Sequence, residues 1–234
     1  MLSVNNRGAG VYDAWQNIGA AVEKFEDCIA DIDAWIQFAT DKNYTNVILS
    51  GHSLGAEKVV YYVNHGKYCD KVSAIVLLGP ADSFGSHRLH NGKDNTGVRA
   101  SVENNLRIAE SLVKEGCGDA FLSRNAYGSH RGIMPKSAES FLNFLGKESK
   151  LVEGLPFVQG KLESYAKIRV PILAVIGDKE EYTGLTIDSA LELMRRENKL
   201  TETVKFKGCD HDFQGKEHEL TDVVLEFITR INAK

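Results

Sequence analysis

The residues whose types and order could carry out chemistry in this sequence are a serine between two glycines, a late histidine and a group of carboxylates. Ser50-Gly51-His52-Ser53-Leu54-Gly55 holds a Gly-x-Ser-x-Gly pattern, directly after the apolar run Val47-Ile48-Leu49 and directly before a stretch of helical periodicity. In that context the serine occupies a strained turn between a buried strand and a helix, with its hydroxyl projecting above the sheet. Any side chain at Gly51 or Gly55 is expected to collide with the neighbouring strand and helix, and His52 flanks the serine in this elbow. The Leu54 amide, at the helix N-terminus, would face an oxyanion forming on a substrate carbonyl. The bland alternative is a Gly-rich turn with an incidental serine; the strand before it and the helix after it weigh against that.

A serine hydroxyl is a weak nucleophile and needs a base, which in turn needs a third group to orient it. His211, in Gly208-Cys209-Asp210-His211-Asp212-Phe213, lies after the last strand expected in the chain and before the last helix, where such a base belongs. His65 and His218 fall on or beside helices, and His87, His90 and His130 fall in an inserted segment. The orienting acid should follow the apolar run that ends at Ile176, in Gly177-Asp178-Lys179-Glu180-Glu181-Tyr182. Asp178, Glu180 and Glu181 compete for that role, and composition does not choose among them.

The elements that must hold these residues follow from hydrophobic spacing. Ala21, Val22, Phe25, Ile29, Ile32, Ile36 and Ala39 recur at three- and four-residue steps, which predicts a helix over 18–40. Short, almost wholly apolar runs at 47–49, 72–78 and 170–176 suit strands buried on both faces, with a weaker strand at 202–206. Helices are expected at 56–64, 187–196 and 220–231 between and after them. Strand and helix in alternation predict an α/β fold: a mainly parallel sheet flanked by helices on both faces. Residues 82–166 break the alternation, with helical segments near 98–114 and 137–145. A structureless loop of that length is implausible inside a compact domain. The expected organisation is therefore a core of 1–81 and 167–234 with a helical lid, 82–166, inserted over the carboxyl ends of the strands.

Composition narrows the class of function. The chain has 234 residues, 43% hydrophobic and 26% charged, enough to bury a sizeable core and far from the disordered regime. With 28 Lys and Arg against 32 Asp and Glu, the formal charge of −4 gives no positive field for phosphate backbones, so nucleic acid is not an expected partner. No apolar run approaches the roughly 20 residues that span a bilayer, and residues 1–7 lack the basic and apolar pattern of a leader. Cys28, Cys69, Cys117 and Cys209 are scattered, with no CxxC pair, and are expected as reduced thiols in a cytoplasmic protein. His87-x-x-His90 alone is a weak metal-ligand set. No metal or organic cofactor is implied.

Three segments taken together resemble the serine α/β-hydrolases: GHSLGA at 51–56, VPILAVIGDKEEYT at 170–183 and GCDHDF at 208–213, in that family's order of serine, acid and histidine. Asn5-Asn6-Arg7-Gly8-Ala9-Gly10 is similar to the Arg-Gly-x-Gly loop after the fourth strand in esterase-like and aminopeptidase-like members, so the resemblance covers nearly the whole chain. By position it implies Ser53 as nucleophile and His211 as base. It also favours Glu180 as the acid, standing where members usually carry the Asp of a Gly-x-x-Asp pattern, with Asp178 next and Glu181 third. If Leu2-Ser3-Val4 is the remnant of the family's fourth strand, the first three strands are absent, together with the loop that supplies the second oxyanion-hole amide. Val47 to Leu49 would then form an apolar sheet edge. The expectation is a shortened reading frame, or a chain that pairs this edge with a partner such as a second copy.

The resemblance implies a hydrolase that cleaves a carboxylic ester of a small or medium-sized molecule through an acyl-enzyme. Amide and thioester hydrolysis and acyl transfer use the same triad. The rival from another class is a non-catalytic binding or scaffold protein on the hydrolase fold. Of the aromatic residues in the insertion, Phe121, Tyr127, Phe141 and Phe144 line a pocket or fill the lid's own core.

Overall fold

The computed structural model describes residues 4, 6–7, 19–88, 96–122, 136–179 and 182–233, with backbone alone at 87–88 and 96–101. Four short strands form one parallel sheet in the order β1-β2-β3-β4: β1 (Val47–His52), β2 (Val72–Leu78), β3 (Ile172–Gly177) and β4 (Thr201–Phe206). Parallel neighbours demand crossovers, and helices supply them. Helix α1 (Cys28–Asp41) precedes β1, α2 (Leu54–His65) joins β1 to β2, α7 (Ile187–Glu197) joins β3 to β4, and α8 (Glu217–Asn232) follows β4. Between β2 and β3 run α3 (Ser83–Arg88), α4 (Thr96–Lys114), α5 (Ala138–Leu145) and α6 (Glu163–Ala166), with 3-10 turns at Lys150–Glu153 and Phe157–Gln159. All four strands run as the sequence predicts.

The two-residue period of a strand sends alternate side chains to opposite faces. Ile75, Leu77, Ile172 and Ala174 meet Ile32 and Ile36 of α1, Val59 and Val60 of α2, and Leu193 and Met194 of α7 in one buried cluster. Ala74, Val76, Leu173 and Val175 pack on the other face with Phe206, Phe213 and Phe227 of α8. A sheet buried on both faces explains why its central strands read as continuous apolar runs. Val102, Leu106 and Ala109 of α4 and Phe141, Phe144 and Leu145 of α5 belong to the first cluster, so these two aromatics are core. Tyr127 lies outside the described residues.

The predicted helix over 18–40 forms in full only from Cys28. Ahead of it are 3-10 turns at Gly19–Ala21 and Phe25–Asp27, with Lys24 extended at φ −103°, ψ 142°. Tertiary bonds account for the break. The Glu23 carbonyl accepts from the Ser140 hydroxyl at 2.6 Å, and the Phe25 amide donates to Asn143 Oδ1 at 2.8 Å. A regular helix would keep those groups for its own ladder. Where caps are local, sequence and structure agree: Ser137 and Thr186 accept from the amides of Ser140 and Ser189 and start α5 and α7.

β1 lies at one edge of the sheet, with Val47, Ile48 and Leu49 half-buried and β2 its one neighbour among the described residues. Of Leu2-Ser3-Val4 only Val4 is described, and it is exposed and outside any strand. Arg7 is anchored by bonds to Asp31 and an ion pair with Asp27 at 3.2 Å, beside the start of α1. Among the described residues, no helix is long and apolar enough to cross a membrane.

Candidate functional site

Ser53 stands between β1 and α2 with φ 57° and ψ −125°. A positive φ on a non-glycine residue costs on the order of 1–3 kcal/mol and persists only where the surroundings enforce it. Here the Ser53 amide donates to the Leu78 carbonyl at 2.9 Å, and the Ser53 carbonyl accepts from the Ala56 amide at 2.9 Å. The turn also needs Gly51: a Cβ there would stand 2.1 Å from the Gly55 carbonyl oxygen and 2.8 Å from the Ala56 nitrogen. Gly55 differs from expectation, since a Cβ at that position meets nothing within 4 Å. It lies in the first turn of α2 and points away from the strand, so the close approach at the elbow belongs to Gly51 alone. The Ser53 side chain makes no capping bond to α2, which leaves its hydroxyl unspent at the helix start. Leu54 opens α2, so its amide is one of the first-turn donors without an acceptor inside the helix.

His211 reaches the same end of the sheet from the turn after β4. Its ring packs against His52 and Tyr182, with centroids 4.7 and 4.6 Å away and planes inclined by 39° and 59°. A side chain at Gly79, φ 50°, would sit 3.1 Å from His211 Nδ1, so this glycine is what lets the imidazole lie over the end of β2. Ser53 is bonded to Leu78, the last residue of β2, and His211 rests on Gly79, the residue just after it, which brings the two predicted residues to the same end of that strand. The turn is fixed further by His52 Nε2, 2.8 Å from the His211 carbonyl, and by Phe213 at φ 57°, whose ring meets Phe206 at 6.0 Å.

Of the three predicted carboxylates, Asp178 is described and Glu180 and Glu181 lie outside the described residues. Asp178 Oδ1 accepts the Cys209 amide at 3.2 Å. The Gly208 and Cys209 amides hold this exposed carboxyl below its usual range. Asp178 therefore ties the β3 loop to the β4 loop, and Gly177, whose Cβ would lie 2.4 Å from the Cys209 carbonyl, permits that approach.

Two buried carboxylates that sequence reasoning missed lie behind the elbow. Glu57, one turn into α2, accepts the Ser83 amide at 3.0 Å and the Ser83 hydroxyl, and burial pushes its carboxyl well above the ordinary range. Asp82 is pushed up to about 6, mainly by burial. Its oxygens accept the Gly85 amide at 2.5 Å and the Val158 amide at 2.9 Å, while its own amide donates to the Tyr182 carbonyl at 2.8 Å. Ser86 Oγ donates to that carbonyl as well, at 3.0 Å. Asp82 thus joins the start of the inserted segment to the loop whose Tyr182 ring packs on His211. What the sequence shows is an acidic residue two positions past the Gly79-Pro80 that closes an apolar strand, and a lone Glu among Ala56, Val59 and Val60, neither of which reveals burial. Further along α2, Lys58 and Glu23 form a buried ion pair at 2.8 Å.

His52, His211 and Asp212 each offer a metal-ligating atom, and the three atoms lie within 4.8 Å of one another. His90, and the side chain of His87, lie outside the described residues. The four cysteines are unpaired, and burial pushes the Cys28 thiol up to about 12.

Residues 12–231 match the model of a family described as "Protein of unknown function (DUF1749)". The chain belongs to that family. No curated protein sequence is significantly similar to it. Among solved structures it is similar to Est1E of Butyrivibrio proteoclasticus in complex with ferulic acid, at 16% identity and a TM-score of 0.59 over 91% of this chain and 70% of that one. An esterase of Exiguobacterium antarcticum shares 21% identity, with a TM-score of 0.54 over 95% of this chain and 79% of the other. A thermophilic esterase of Thermogutta terrifontis shares 14%, with a TM-score of 0.53 over 90% and 74%. At such identities the likeness speaks for the fold, which is that of the α/β-hydrolases.

Proposed function

We propose that this chain is a serine hydrolase acting on carboxylic esters of small or medium-sized molecules. The observation that carries the proposal is the strained Ser53 at the head of α2, its hydroxyl free of capping duty, with His211 seated on Gly79 just past the end of β2. Likeness to three esterases supports ester over other acyl chemistry.

In this reading Ser53 Oγ attacks the ester carbonyl carbon as His211 removes its proton. The Leu54 amide, at the positive end of α2, stabilises the tetrahedral oxyanion. His211 then protonates the departing alkoxide, leaving an acyl-serine. A water deprotonated by His211 attacks that ester in turn, releasing the carboxylic acid and restoring the serine. Glu180 holds the imidazole and stabilises its charged form. Asp178 is the second choice, because its described bond goes to the Cys209 amide. Residues 82–166 act as a helical cap at the substrate end of the sheet, tied to the acid loop through Asp82 and Tyr182. The four free thiols fit a reducing, cytoplasmic setting.

The test is turnover of p-nitrophenyl esters of graded acyl length by the purified chain and its Ser53→Ala variant. Turnover that the variant loses supports the reading. A folded chain with no turnover on any ester, or a variant as active as the parent, overturns it.

A further inference from the structure

We infer that His52, His211 and Asp212 form a binding site for a divalent transition metal, zinc above all, and that the metal switches the proposed hydrolase off by occupying its base. The inhibitory half of this inference rests on the hydrolase reading, whereas the metal site stands on its own geometry.

One ligand atom from each of the three side chains lies within 4.8 Å of the other two. Ligands around a tetrahedral zinc, bound at roughly 2.0–2.2 Å, stand about 3.4 Å from one another. Closing the difference takes a movement of about an ångström, which rotation of the exposed Asp212 side chain can supply while His52 keeps its bond. The pair of imidazoles is already close, with ring centroids 4.7 Å apart and planes inclined by 39°. His52 also has the second-nitrogen bond to a carbonyl that metal-binding histidines usually make. Its Nε2 lies 2.8 Å from the His211 carbonyl. A peptide oxygen only accepts, so the neutral ring carries its proton on Nε2 and keeps a lone pair on Nδ1. Two imidazoles and one carboxylate form a borderline donor set that suits zinc better than calcium or magnesium, which prefer oxygen. Solvent reaches all three groups and can provide a fourth ligand.

The consequence for chemistry is direct. An imidazole nitrogen whose lone pair is given to zinc no longer accepts the Ser53 proton, and the metal's charge sits over the position where His211 must become positive. Inhibition should be reversible, because protein ligands and metal part without any covalent change.

Zinc chloride titrated into the purified chain, followed by calorimetry and by the visible spectrum of a cobalt(II) substitute, reads the site without activity. The expected result is one metal ion per chain, with affinity about tenfold or more weaker in Asp212→Asn and in His52→Gln, since each lacks a ligand. Ester turnover should fall as zinc saturates the site and return on chelation. In Asp212→Asn, which lies outside the proposed triad, metal-free turnover should stay near that of the parent while the zinc needed for half-inhibition rises about tenfold or more. Zinc binding with unchanged affinity in both variants, or none near micromolar metal, overturns the site. Binding that depends on both residues in a chain without esterase activity would sustain the site and sink the hydrolase reading instead.

Discussion

Exchanging each elbow glycine for alanine separates a close approach from empty space. At Gly51 the new methyl would lie 2.1 Å from the Gly55 oxygen and 2.3 Å from the Gly55 carbon, both backbone atoms. Restoring ordinary contact requires the first turn of α2 to move back by about an ångström, with Ser53 and the Leu54 amide carried along. Neither side yields easily. Gly51 is held in register with Leu77 of β2, and α2 is anchored by Val59 and Val60, at 2% and 0% exposure. Overpacking of this kind costs about 1–3 kcal/mol, which in a domain of this size lowers Tm by roughly 2–12 °C. A reactive group misplaced by an ångström loses about a hundredfold in rate. Gly55→Ala meets nothing within 4 Å. It should stay within about 1 kcal/mol of the parent, on the stabilising side, because alanine loses less backbone entropy in a helix. Thermal unfolding by circular dichroism, with the rate of fluorophosphonate labelling on the same samples, reads both effects. Equal damage from the two substitutions, or an unharmed Gly51→Ala, would refute the geometry of the elbow.

The acid is tested by Glu180→Gln, expected to lower kcat/KM for an ester by about a thousandfold or more, against Asp178→Asn, expected to cost much less; the reverse order would move the role to Asp178. Asp82 gives a pH dependence. Its folded carboxyl is raised to about 6 by burial, so stability is fullest below the unfolded value and is lost as pH rises through 6. Urea unfolding at pH 4 and pH 7 should show the gap between parent and Asp82→Asn changing by about 2 kcal/mol, to the parent's disadvantage at the higher pH; a constant gap would contradict this. The buried pair Lys58–Glu23 should lose about 3–5 kcal/mol in Glu23→Gln, which strands the lysine, and much less in Glu23→Leu with Lys58→Met. Equal losses in the single and double variants, measured by urea unfolding, would remove that assignment.

Much of the fold was legible in the sequence because its two central strands, β2 and β3, are buried on both faces and carry one polar residue, Ser73, between them. β2 has the bounds that its apolar run and the following Gly-Pro imply, and α7 extends one residue beyond its expected end. The start of α1 was not legible, because Ser140 and Asn143, more than a hundred residues away, take the backbone groups of Glu23 and Phe25. Local periodicity carries no record of such bonds. Ser53 and His211 were placed by motif and order, and the structure brings both to the end of β2. The roles of Gly55, Asp82 and Glu57 depend on what faces them across the fold. A glycine spacing looks the same whether its second member is crowded or open, and an acidic residue after a strand looks the same exposed or buried.

The central claim is that Ser53 is an activated nucleophile in this chain. Intact-mass analysis after exposure to a fluorophosphonate tests it most directly, on the purified protein beside its Ser53→Ala variant. A single phosphonyl adduct is expected to form on the parent and to be absent from the variant. A folded parent that takes up no label, or a variant labelled as fast as the parent, would contradict it.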